Sequence, residues 1–258
     1  MKLTQLGLTL FNLRDHCKTE PDLRSTLAKV KSIGFQVVQV SAVKNIEPAI
    51  VRDAIAEAGL ICCATHEPSG VIRENPQAVV EKLNTLNTKI TAFPSPGGVD
   101  LEDAPAVDAM IADLDKAGAV LAEAGQKLCY HNHAFELFRP NDGPSILEQV
   151  YDKTAPEHVA AELDTFWIQA GGGDVVAWID KMKGRLPILH IKDYAVTAKG
   201  ERYFTEIGYG NLDWPRIIAA AEQAGCEWFV IEQDRCPGDP FESMKKSFDY
   251  ITSNLLEN

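Results

Sequence analysis

Apolar runs of five to eight residues alternate along the chain with longer stretches in which apolar residues recur at helical spacing. The runs cover 5–11, 35–41, 60–66, 89–94, 127–133, 158–165, 186–192 and 227–233, and predict strands. The stretches between and after them cover 21–33, 47–58, 75–87, 105–124, 144–152, 174–183, 213–224 and 241–255, and predict helices. Four of the joints share one plan: "KVKSIGFQVVQVS", "AIAEAGLICCATH", "VLAEAGQKLCYHN" and "AAEQAGCEWFVIE" each run from a helix end through a glycine into a strand. Gly34, Gly59, Gly125 and Gly225 supply the left-handed residue that ends a helix. The runs are rich in Val, Ile, Leu and Phe without clean alternation, as expected of parallel strands covered on both faces. Eight strand–helix units in 258 residues predict an α/β fold, a (β/α)8 TIM barrel with a single domain spanning 1–258. An open doubly wound sheet is the alternative, but "GLTLFNL" after the first strand lacks the glycine pattern of a dinucleotide-binding turn.

Composition narrows the function classes. The chain is 45% apolar and 24% charged, ordinary for a large-cored globular protein. A formal charge of −12 argues against nucleic acid as a partner. No run approaches the length of a membrane span, and the N-terminus lacks a signal pattern, so a cytoplasmic protein without a membrane partner is expected. The six cysteines show no metal-binding spacing, and Cys62, Cys63 and Cys129 lie inside apolar runs as buried thiols.

Several of these apolar strands finish in polar residues: "YHNHAFE" (130–136), "ELDTFW" (162–167), "ILHIKD" (188–193) and "VIEQD" (230–234). In such a barrel, chemistry collects at the C-terminal strand ends. Asp164, His190 and Glu232 end three successive strands, and Glu136 stands at or just past the end of the one before. Three carboxylates converging on one point would repel unless one took up a proton or a cation intervened. One imidazole with three carboxylates suits one divalent metal ion, Mn²⁺ first, with Mg²⁺, Co²⁺ or Zn²⁺ as alternatives. Should the fifth strand bulge, a histidine of "HNH" takes the place of Glu136.

At these residues the sequence resembles the xylose isomerase-like TIM barrels, a broad group of sugar (phosphate) isomerases and epimerases, over nearly its whole length. The phrases "YHNHAFEL", "ELDTFW", "LHIKD", "EIGYGNLDW" and "IEQD" carry the likeness together. It implies one metal held by Glu136, Asp164, His190 and Glu232, and it makes homo-oligomers common. Two departures stand out: Tyr130 falls where the ketose epimerases have their first Glu, and Trp167 where they have a His. "HNH" is closer to inosose dehydratases and to hydratases or lyases of 3-keto sugars. The related abasic-site endonucleases use more metals and histidines than this chain offers.

A divalent ion on a keto-sugar polarises the carbonyl, so that a general base can remove the neighbouring proton and leave a metal-bound enediolate. Returning the proton elsewhere gives isomerisation or epimerisation; expelling a β-oxygen gives dehydration or glycoside cleavage. A sugar isomerase or epimerase is the first expectation, a lyase or hydratase of 3-keto sugars or inososes the alternative, and a sugar-binding barrel without catalysis the distant one. His133, nearer the rim, is the preferred proton carrier over His131, with Glu136 and Glu232 as carboxylate alternatives. Lys192 shares parity with His190 and either stabilises an enolate oxygen or pairs with Asp164 or Glu162. His66, His131, Trp167 and Asp234 are candidates for binding the small-molecule sugar or keto-sugar. Gly208 and Gly210 in "FTEIGYGNLDWP" would let a phosphate approach, but Asp213 before "WP" reads better as a helix cap. Few basic residues fall at strand ends, which favours an unphosphorylated substrate.

Overall fold

The computed structural model describes residues 1–257. Eight parallel strands close into a barrel: β1 (Leu6–Thr9), β2 (Val37–Val40), β3 (Ile61–His66), β4 (Ile90–Phe93), β5 (Lys127–His131), β6 (Val159–Asp164), β7 (Ile188–Ile191) and, last in the chain, β10 (Trp228–Ile231). Each pairs with its sequence neighbour in the barrel, and β1 pairs with β10 to close it. The predicted helices form the outer layer: α1 (Glu20–Ile33), α2 (Pro48–Glu57), α4 (Pro76–Leu86), α5 (Ala104–Glu123), α6 (Ile146–Asp152), α8 (Val175–Lys181), α9 (Trp214–Ala224) and α10 (Pro240–Asn254). The glycine joints behave as read, with positive φ at Gly34, Gly59, Gly125 and Gly225. Among the described residues no helix is long and apolar enough to cross a membrane.

Strand parity builds the barrel interior in rungs. Val37, Cys129, Ala160, Ile188 and Val230 pack together in an apolar layer. Two residues further along the same strands stand Gln39, His131, Glu162, His190 and Glu232, and two further again Ser41, His133, Asp164, Lys192 and Asp234. The apolar floor thus gives way to two polar rungs at the C-terminal mouth.

The periodicity did not reveal the short elements around that mouth. After β1 the chain turns into a 3-10 helix, Leu10–His16, and α3 (Ser69–Glu74) follows β3. Helix α7 (Thr165–Ala170) starts directly from β6, capped by Asp164 itself. Beyond β7 an antiparallel hairpin of β8 (Asp193–Val196) and β9 (Arg202–Thr205) stands outside the barrel. Its anchor is the fully buried Asp193, whose carboxylate accepts from Gly208 N, Gly210 N and Trp214 Nε1 at 2.8, 3.1 and 2.7 Å. The glycines that would admit a phosphate therefore serve an internal carboxylate, and Asp213 caps α9 as expected.

Candidate active site

The barrel register sets Asp164 opposite His190, and His190 opposite Val230, two residues before Glu232. His190 Nδ1 lies 3.1 Å from Glu232 Oε2. Asp164 divides its carboxylate: Oδ1 accepts from Trp167 N at 2.9 Å as the cap of α7, while Oδ2 is buried without a hydrogen-bond partner. His131, Asp164, His190 and Glu232 each offer a ligand atom within 4.8 Å of the others, and all four are buried. Three of the four ligands expected from the sequence thus converge.

Glu136 does not join them. Strand β5 ends at His131, and the chain swings through a 3-10 helix at Phe135–Leu137. The Glu136 carboxylate is fully buried there, accepting from His133 N at 2.8 Å and Tyr130 Oη at 3.3 Å. Glu136 thus lies outside the cluster in which it was expected: it braces the turn, and His131 stands beside Asp164, His190 and Glu232 instead.

Lys192 is buried between acids. Its Nζ is 2.6 Å from Asp234 Oδ1, 3.2 Å from Glu232 Oε2 and 3.4 Å from Asp164 Oδ2. The pairing with Asp164 is present and that with Glu162 is replaced by Glu232 and Asp234. Burial opposes the ammonium, but these carboxylates outweigh it and hold its pKa above the usual lysine range. Trp167 lies beneath this ammonium, 4.9 Å from Nζ to ring centroid, and 5.3 Å from His133, so it packs behind the site.

The other acids and imidazoles respond to burial in different directions. Burial pushes Asp164 up to about 7, with Lys192 opposing and Glu232 adding to the rise. His190 reaches about 9: burial works against its charge, and Glu162 and Glu232 overcome it. Burial draws His131 down to about 3. Glu232, also buried, is held well below the carboxylate range by Lys192 and His190.

Above these groups opens a cleft of ≈ 360 Å³ whose walls include Phe11, His66, His131, His133, Glu232 and Asp234. That volume suits a small polar ligand. His133 stacks on Phe135 with centroids 5.1 Å apart, and its Nδ1 has no hydrogen-bond partner. His66 Nδ1 is 3.1 Å from Ser41 Oγ and its Nε2 turns inward to Glu162.

Two residues that the sequence reading did not place among the ligands or substrate contacts stand at the heart of the site. Glu162 contacts His66, His131 and His190, and Gln39 contacts both Glu162 and His190. The signal was available: Glu162 is two residues before Asp164 on β6, and hence on the same inward parity.

The donor set fits a divalent cation. Asp164 Oδ2 is a buried oxygen without a hydrogen bond, 3.4 Å from the Lys192 ammonium, and two imidazoles with two carboxylates can neutralise and saturate such an ion.

Residues 27–254 match the family described as xylose isomerase-like TIM barrel. An inosose dehydratase of Geobacillus thermodenitrificans (strain NG80-2) is 26% identical over 161 residues, 56% of this chain and 53% of that protein. The chain spans about half the length of the curated relatives it matches. A sugar phosphate isomerase/epimerase from Parabacteroides distasonis ATCC 8503 superposes with a TM-score of 0.83 at 21% identity, covering 99% of this chain and 96% of that one. An L-ribulose 3-epimerase superposes with a TM-score of 0.73 at 18% identity, covering 99% and 95%.

Proposed function

From the premise that the chain belongs to the xylose isomerase-like TIM barrel family, we propose that it is a divalent-metal-dependent enzyme that removes a proton beside the ketone of an inosose or keto-sugar and eliminates water across the adjacent bond. The observation that carries this reading is the convergence of His131, Asp164, His190 and Glu232 beneath a cleft that His133 lines, with the buried Lys192 ammonium against the cleft residues Glu232 and Asp234.

Asp164, His190, Glu232 and His131 would hold the ion, which when bound would act as a Lewis acid on a ketone oxygen and acidify the neighbouring C–H. His133 is the proton acceptor: it lines the cleft, and its buried Nδ1 lies 3.9 Å from Glu136 Oε1, leaving Nε2 to take the proton. Lys192, kept charged by three acids, stabilises negative charge developing on substrate oxygen or supplies the proton that leaves with the β-hydroxyl. Asp234 binds a hydroxyl at the rim, whereas both ring nitrogens of His66, expected to do the same, are held by Ser41 and Glu162.

Elimination takes precedence over epimerisation for two reasons. The sequence likeness is to inosose dehydratases, whereas the likeness to epimerases is one of fold. The carboxylate of Glu136, which would have provided a second proton carrier after β5, is engaged with Tyr130 and His133. Incubating the Mn²⁺-loaded protein with inososes and 3-keto sugars in D₂O and following the products by NMR tests the reading. An enone-type product that is lost in the His133→Asn variant supports it. Deuterium at a retained C–OH centre would instead establish the epimerase.

A further inference from the structure

We propose that Glu162 is a positioning residue that, with Gln39, sets the tautomers of His131 and His190 so that each turns a lone pair toward the ion. This rests on the metal reading above and deepens it. An ionised carboxylate only accepts hydrogen bonds and offers about four acceptor directions. Glu162 is fully buried and accepts from Gln39 Nε2 at 2.7 Å on Oε2 and from His66 Nε2 and His131 Nδ1 at 2.5 and 3.0 Å on Oε1, with His190 Nε2 3.2 Å from Oε1. The imidazole nitrogens bonded to it, on His66 and His131, must therefore carry a hydrogen.

The consequences differ by residue but agree in direction. With Nδ1–H given to Glu162, His131 keeps its lone pair on Nε2. Gln39 cannot flip, because its NH₂ donates to Glu162; its Oε1 therefore faces His190 Nε2, at 2.7 Å, and accepts from it. That leaves His190 Nδ1, the nitrogen beside Glu232, as the one to bind a cation. His66 satisfies the same rule without becoming a ligand, since the Ser41 hydroxyl donates to its Nδ1. One carboxylate thus plays, for two ligands at once, the orienting part that each metal-bound histidine ordinarily takes from a partner of its own.

The same His66, His131, Glu162 and His190 atoms lie within 4.8 Å of one another and form a ligand group of their own. Hydrogens on the deep nitrogens and a cation among them exclude each other, so the two arrangements can be told apart.

The test uses the full chain with ¹⁵N-labelled histidine and long-range ¹H–¹⁵N correlation. In the metal-free protein His131 is expected as the neutral Nδ1–H tautomer, and in the Zn²⁺-loaded protein both His131 Nδ1–H and His190 Nε2–H persist. Glu162→Gln should move His131 toward the other tautomer and weaken Mn²⁺ binding by about 10–100-fold. An Nε2–H tautomer of His131 in the unsubstituted protein, or loss of the deep protons on Zn²⁺ loading, overturns the proposal. The metal-free spectrum decides even if Glu162→Gln fails to fold. Failure of the unsubstituted protein to bind Mn²⁺ or Zn²⁺ would defeat the metal reading while the tautomer remained separately measurable.

Discussion

Asp164 combines two commitments in one side chain. One oxygen caps a helix and the other faces the site without a hydrogen bond, 3.4 Å from the Lys192 ammonium, so replacing the carboxylate by an amide keeps the shape but removes the charge. Asp164→Asn is expected to fold normally and to bind Mn²⁺ more weakly by over 100-fold, a larger loss than the roughly 10–100-fold typical of an outer-shell partner, read by titration calorimetry. The pH dependence has a definite sign. The raised pKa of His190, about 9 against an ordinary 6.5, means that the folded metal-free protein binds this proton more tightly than the unfolded chain. Its stabilising contribution is complete below about 6.5 and lost as pH rises through about 9, so the metal-free melting temperature should fall across that interval. A metal ion displaces this proton and the one on Asp164, raised to about 7, so Mn²⁺ affinity should climb over the same range. Asp164, His190 and Glu232 were legible because a polar residue closing an apolar strand is conspicuous. Glu162 and Gln39 were not, since a polar residue inside an apolar run looks like a concession of the core until its strand parity is followed. Glu136 misled because it follows strand five closely in sequence, while the chain bends away after His131.

At the scale of elements, the regular helices and strands followed from periodicity because the packing of two faces demands it. The hairpin β8–β9 and the one-and-a-half-turn helix α7 did not, being too short to show a period and being held by single residues, Asp193 and Asp164. Helix α5 offers a check on the packing argument. Gly118 sits in its interior, where intrinsic propensity alone would favour alanine by about 1 kcal/mol. Yet a Cβ there would lie 2.2 Å from His158 O, a backbone atom just before β6. Overpacking of this kind costs about 1–3 kcal/mol, so Gly118→Ala is expected to destabilise the protein in urea unfolding despite the better helix former.

For the molecule as a whole, the layered interior separates a dry floor from a wet mouth. Cys63 and Cys129 belong to the floor and Cys62 packs in the surrounding core, and burial pushes the Cys62 thiol up to about 12. Five of the six cysteines are buried, leaving Cys236 partly exposed. A thiol reagent applied to the native protein should therefore label one site, identifiable by peptide mapping, and reach all six only on unfolding.

Lys192 gives the mouth a property that a metal centre made only of acids would lack. Its ammonium is a counter-charge encoded in the polypeptide, so the chain need not wait for an ion in order to bring Asp164, Glu232 and Asp234 together. Chelator treatment should accordingly leave the circular dichroism spectrum intact. In Lys192→Met the acids lose that internal neutraliser, a deficit of about 3–5 kcal/mol when a buried pair is broken, and survival at neutral pH should come to depend on added Mn²⁺. One lysine would then mark the difference between a protein that matures first and is armed afterwards, and one that must capture its metal in order to exist.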